Sequence, residues 1–253
     1  MALLETRGIW VHFGGLAAVK DVSLAIEQGE RVALIGPNGA GKTTFFNVLT
    51  GQLKPSAGSV HFKDVDITNH SVFSRAHMGM ARSFQITSLF PNETVLVNTL
   101  IALQGTRQGR YGLVRYFMKD KKLRSDAQEL LESIDLWDLR EARVGSLAYG
   151  LQRKLEITLP LASEPDLLLL DEPSCGLTTV ESADITTRIR ALGSKITVLM
   201  IAHDMDLVFG VADRVILLHY GEIACEGTCD EIRSNAMVRE IYMGSRKQPG
   251  SDR

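Results

Sequence analysis

A chain of 253 residues with 45% hydrophobic and 23% charged side chains has enough apolar surface for one large domain without disulfide support. Its formal net charge of −2 lacks the basic footprint of a nucleic-acid binder, and its longest apolar runs, in DLLLLDE, TVLMIA and RVILLHY, fall short of the about 18 residues a spanning helix needs. The odd number of cysteines, Cys175, Cys225 and Cys229, and the lack of an opening secretory segment point to a reducing compartment. The C-E-G-T-C spacing does not suit zinc, so plain thiols are expected.

In chain order, the first dozen residues, VSLAI at 22–26 and the β-rich stretch 59–67 predict an antiparallel flank. VALI at 32–35 is a short apolar run entering a glycine-rich turn, and residues 44–53 read as the helix beyond it. Residues 87–163 carry helical stretches, among them 126–136, but no convincing strand pattern, and predict a helical subdomain inserted between core segments 1–86 and 164–244. Within it, SLAYGLQRKLEI at 146–157 places Ala148, Tyr149 and Gly150 ahead of a helical run with apolar Leu151, Leu155 and Leu159; Pro160 should kink or end that helix. LLLL at 167–170 and TVLMIA at 197–202 are continuous apolar runs of the kind found in buried parallel strands. The closing SRKQPGSDR, 245–253, reads as a frayed tail, and KDKKLR at 119–124 as a solvated loop or helix face, with contact to anionic lipid headgroups as the alternative.

The turn after VALI is GPNGAGKT, which fits G-x-x-x-x-G-K-[ST] between a predicted strand and a predicted helix. Gly36, Pro37, Asn38, Gly39, Ala40 and Gly41 let successive N–H groups point at phosphate oxygens, and the helix start adds its positive end. Lys42 supplies a compact charge, the Thr43 hydroxyl is placed for Mg2+, and Thr44 follows in the same turn. A second apolar strand ends in Asp171 and Glu172. Asp171 suits Mg2+ held through water, and Glu172 suits a residue that orients and polarises an attacking water. The expected fold is therefore α/β, a P-loop NTPase core of RecA-like type with an antiparallel β flank and an inserted helical subdomain, in one domain spanning 1–253.

Many NTPases share those two features, and three further segments narrow the choice. LAYGLQ resembles the LSGGQ signature of ABC ATPases and precedes LLLLDEP as in that family; Gln85, in Ser83-Phe84-Gln85, matches its Q-loop; His203, in IAHD, matches its switch histidine. Finer features resemble the ATP-binding subunits of branched-chain amino acid importers, the LivG-like group. These are Phe13-Gly14-Gly15-Leu16, the ARSFQ before the helical insert, the LAYG form of the signature, the LEI after it, and the closing YMG of 235–244. The resemblance runs from about residue 4 to 244.

The resemblance implies an ATPase subunit of an importer. ATP and Mg2+ bind at the P-loop, Gln85 senses the γ-phosphate and Mg2+, Phe13 stacks on adenine, and Ala148, Tyr149 and Gly150 cap the ATP of a second chain in a head-to-tail dimer. That second chain is a sister ATPase or another copy of this one. Transmembrane permease subunits are the direct partners, with a periplasmic solute-binding protein acting through them at the cytoplasmic side of the cell membrane. Two departures stand out. Ala148 lacks the signature's serine hydroxyl, a contact to a charged group worth about 1.5–3 kcal/mol, and Thr178 stands where the family often has an aspartate that couples the two sites. Cys175 is expected near the nucleotide. A non-transport cassette acting as an assembly scaffold or clamp shares the same motifs and stays open as the alternative, and the transported solute is not written in this chain.

Overall fold

The computed structural model describes residues 2–83, 89–105 and 120–243. Strand β3 (Arg31–Ile35) lies in a sheet of order β10-β9-β3-β8-β7-β6. Its parallel members are β6 (Met80–Arg82), β7 (Leu167–Asp171), β8 (Thr197–Ile201) and β9 (Arg214–His219), and β10 (Glu222–Gly227) pairs antiparallel at one edge. Strands β7 and β8 are buried along their whole length, because each face meets its own core. Val32, Leu34, Leu167, Leu169, Leu199 and Ile201 enter one core. The alternate residues Ala33, Ile35, Leu168, Leu170, Val198 and Met200 enter the other, as the two-residue period of a strand dictates.

The first core is closed by the expected antiparallel flank. It comprises β1 (Ala2–Phe13), β2 (Leu16–Glu27), β4 (Ala57–Phe62) and β5 (Val65–Asp66), in order β2-β1-β4-β5. The alternation Val22, Leu24, Ile26 turns its apolar side inward. Helix α1 (Lys42–Thr50) packs on the same core through Phe45, Phe46, Val48 and Leu49. It ends earlier than residue 53 because Gly51 takes a left-handed φ of 79° as C-cap. Helix α2 (Val72–His77) follows β5.

A third core belongs to helices. It joins α3 (Val95–Gly105), α4 (Lys121–Glu132) and α5 (Tyr149–Thr158) through Leu96, Leu100, Leu123, Ala127, Leu131 and Leu155. Helix α4 begins earlier than residue 126, where the Asp120 carboxylate accepts the N–H groups of Lys122 and Leu123, and stops before 136, where Asp135 turns left-handed. Pro160 does not kink α5 but follows its end. The chain passes into a 3-10 turn, Leu159–Ser163, with the proline near its start, where a missing N–H costs little. Further α-helices among the described residues are α6 (Thr179–Ala191), α7 (Met205–Val211), α8 (Cys229–Ser234) and α9 (Ala236–Met243). The tail 245–253 and the start of the charged run at 119 lie outside the described residues.

Candidate functional site

Strand β3 delivers the chain into the P-loop at its carboxyl end, where ligands of parallel sheets sit. Gly36 and Gly41 have positive φ values of 151° and 100°. A side chain on either would overlap a backbone carbonyl oxygen, that of Leu218 for Gly36 and of Ala18 for Gly41. The loop is thus pressed against β9 and β2, with Asn38 and Gly39 exposed and Ala40 buried behind them. Gly41 caps α1 without any side-chain bond, so the first-turn amides beside Thr43 and Thr44 have no partner within the helix. Lys42 Nζ donates to the carbonyls of Gly36 (2.7 Å) and Pro37 (2.9 Å), arching over the loop. Burial lowers its pKa, while the carboxylates of Glu172 and Asp171 pull it upward.

Opposite the loop stand the two acids. Asp171 closes β7 with 1% exposure, and its Oδ2 accepts from Arg82 Nη2 at 2.7 Å. Arg82, at the end of β6, also donates to Asn47 Oδ1 (2.9 Å) and Gln52 Oε1 (2.7 Å), so it ties this carboxylate to the P-loop helix and the turn after it. Glu172 has a left-handed φ of 47°, and its N–H donates to Ile201 O at 2.9 Å. The parallel pairing of β7 with β8 therefore brings Glu172 beside His203, whose Nε2 lies 3.1 Å from Glu172 Oε1. Gln85 lies outside the described residues. Ser83, just before that gap, donates its N–H to Leu169 O (2.9 Å), and its hydroxyl accepts from the Asp171 N–H (3.4 Å).

The signature residues sit at the start of α5. Ala148 is the N-cap and makes no side-chain cap bond, and the amides of Tyr149 and Gly150 have no acceptor within the helix. The Tyr149 side chain turns to its own chain, donating its hydroxyl to Cys175 O at 3.1 Å with its ring against Gly176. At Gly150 a side chain would overlap the Glu181 carboxylate, which would have to swing aside. Thr178 caps α6 in a reciprocal capping box with Glu181, which gives the departure at this position a local reason. Phe13, at the end of β1, is 53% exposed and so is no core aromatic.

Arg82 and Arg153, a buried arginine of α5 that reaches the turn after β7, carry no motif that announces their role. Their surroundings are backbone carbonyls and side chains distant in the chain. The only sequence signal for Arg82 was its place in ARSFQ.

The ABC transporter family matches residues 19–175, a span that holds the P-loop, the signature and both acids. The chain belongs to the ABC transporter ATP-binding family. Among curated relatives, this cassette is 39% identical over 251 residues to the high-affinity branched-chain amino acid transport ATP-binding protein LivG of Salmonella typhimurium. That alignment covers 96% of this chain and 98% of the relative. It is 36% identical over 249 residues to BraF of Pseudomonas aeruginosa, a protein of the same description, with the same coverage. Among solved structures, a nucleotide-free ATP-binding cassette from an ABC transporter superposes with TM-score 0.85 at 32% identity, covering 96% of this chain and 99% of that one. A dimeric post-hydrolysis cassette bound to ADP and Pi gives TM-score 0.77 at 25% identity, covering 89% and 98%. The cassette is an ATPase subunit with the fold expected from its motifs, and no helix among the described residues is long and apolar enough to cross a membrane.

Proposed function

We propose that this cassette powers import of branched-chain amino acids through a pair of membrane permeases. The observation that carries the reading is its near-full-length identity to LivG and BraF. In this reading the P-loop, Gly36 to Thr44, cradles the phosphates of ATP, with Lys42 leaving its two carbonyls for the phosphate oxygens, and Phe13 stacks on the adenine. The Thr43 hydroxyl, exposed on the first turn of α1, and the buried Asp171 carboxylate fit a Mg2+ site that Gln85 would complete. Bound there, Mg2+ would neutralise charge on the phosphates. Glu172 orients and polarises the attacking water, whose oxygen bonds to the γ-phosphorus as the bond to the bridging oxygen breaks. His203 holds the Glu172 carboxylate and faces the same space.

The amides at the start of α5 then close over the nucleotide of a second cassette, a sister subunit or another copy. Their helix dipole and donors act on charge that develops only in the closed pair. The helical segment 87–163 works as the lever, and the permease occupies the groove between it and the core. That groove encloses about 550 Å³ and is lined by Val72, Phe90, Ile101, Pro160 and Arg82 among others. Phe73 stands 65% exposed nearby, next to Val72. The cassette accordingly sits on the cytoplasmic side of the membrane, with a periplasmic binding protein choosing the solute.

The test is reconstitution with permease subunits and a solute-binding protein of the same transporter. ATP hydrolysis should rise when that protein carries leucine, isoleucine or valine. Equal rates with and without these amino acids, or no association with the permeases, overturn the proposal.

A further inference from the structure

Arg153 is 3% exposed, yet nothing in the hydrolytic reading uses it. Its guanidinium leaves α5 and meets the turn that follows β7. Nη2 donates to the carbonyls of Asp171 (2.8 Å) and Glu172 (2.7 Å), and Nε donates to that of Pro173 (3.2 Å). Nη1 donates to the Glu156 carboxylate at 2.8 Å, one turn along the same helix, and Glu156 is itself 2% exposed. Three successive carbonyls therefore converge on one planar fork, a match that arginine makes and the point charge of lysine does not.

The middle carbonyl belongs to Glu172, whose left-handed φ of 47° is one that a residue with a side chain keeps only where its surroundings fix it. A strand end pinned on one side by Ile201 O would otherwise be free to relax on the other. Tyr149, on the same helix, fastens the next part of the turn at Cys175. We propose that Arg153 is a positioning residue for Glu172, holding the turn in the conformation that aims the carboxylate at His203 and the site. The inference rests on the hydrolytic role proposed for Glu172. It adds that the helix whose start caps one nucleotide is bonded directly to the acid that acts on another.

The experiment compares the full chain, with its partner subunits, as wild type, Arg153→Lys, Glu156→Gln and Glu172→Gln. Steady-state ATPase kinetics are read together with amide hydrogen exchange of peptide 171–176 and thermal unfolding. Arg153→Lys keeps the charge beside Glu156 and loses the fork. Its kcat should fall about tenfold to a hundredfold, the loss expected when a reacting group is misplaced by about 1 Å. The KM for ATP should stay within about twofold, since the P-loop is untouched, and the 171–176 peptide should exchange faster. Glu156→Gln leaves the three carbonyl bonds in place and should keep kcat within about threefold of wild type.

Wild-type kcat and exchange in Arg153→Lys overturn the inference. So does a rate loss that vanishes once expressed per folded molecule, which is what a merely structural arginine would give. If Glu172→Gln hydrolyses ATP at the wild-type rate, the role of Glu172 fails. If Glu172→Gln is inactive while Arg153→Lys is silent, only the role of Arg153 fails.

Discussion

Ala148 shows how one missing hydroxyl has both a local and an intersubunit effect. As N-cap of α5 it has an extended backbone, φ −57° and ψ 147°, the conformation from which a serine side chain reaches the amides of the first turn. In Ala148→Ser the new oxygen can accept one of those amides in the separate chain, or donate to the γ-phosphate in the closed pair. The first should raise stability by about 0.5–2 kcal/mol, and the second should leave ATPase activity equal or higher. Thermal unfolding and steady-state hydrolysis of the two proteins measure both effects, and a large loss of rate would contradict the capping geometry. Thr178 is different, since its hydroxyl and N–H both bind the Glu181 carboxylate (2.8 and 2.9 Å). Those hydrogen bonds hold the Glu181 pKa below the usual carboxylate range, and an aspartate at 178 would set two carboxylates face to face.

Two arginines hold the C-terminal half of the P-loop helix. Arg82 grips Asn47 on its last turns, and Arg75 of α2 closes its C-terminus. The Arg75 guanidinium is 1% exposed. It donates to the carbonyls of Val48 (2.7 Å) and Leu49 (2.5 Å) in α1 and to those of Ile67 (2.7 Å), Thr68 (3.2 Å) and His70 (3.2 Å) in the connection to α2. Burial lowers its pKa to about 10, which still leaves the charge in place at neutral pH, where it also opposes the negative end of the helix. Arg75→Lys keeps a charge but cannot reach five acceptors, so several buried carbonyls lose their donor at about 1–3 kcal/mol each before relaxation. A net loss of about 2–4 kcal/mol in a urea titration is expected; a midpoint unchanged from wild type would refute the clasp.

These clasps mark the boundary of what the sequence made legible. VALI-GPNGAGKT and LLLLDE were readable because an apolar run of strand length and a motif at fixed spacing are local patterns, and the structure builds β3, the P-loop and β7 where they fall. The pairing of Glu172 with His203 followed once both were placed at ends of neighbouring parallel strands. Arg75, Arg82 and Arg153 were not readable, because each is defined by carbonyls or side chains brought in from other elements. Strand β6 was missed for another reason: three residues, Met80–Arg82, are too few to show a period. The helix ends shifted where a single residue decides, as at Gly51, Asp120 and Thr158.

A single cassette is incomplete at both of its nucleotide-facing surfaces. Its α5 start is bonded to the turn after β7 through Tyr149 and Arg153, and it presents amides and a positive helix end outward from an exposed N-cap. The P-loop presents its own amides from the far end of β3. If ATP bridges two such surfaces from different chains, association must depend on intact nucleotide, and hydrolysis must release it. Glu172→Gln should slow hydrolysis while leaving the P-loop and the signature unchanged. With MgATP, and with its sister subunit where the native pair is mixed, sedimentation should then show a dimer that disappears when ADP replaces ATP. Wild type should show that dimer only briefly. Should the variant stay monomeric with MgATP at every concentration, even beside its sister, nucleotide would not be the bridge between cassettes. The signature amides would then have no phosphate to meet.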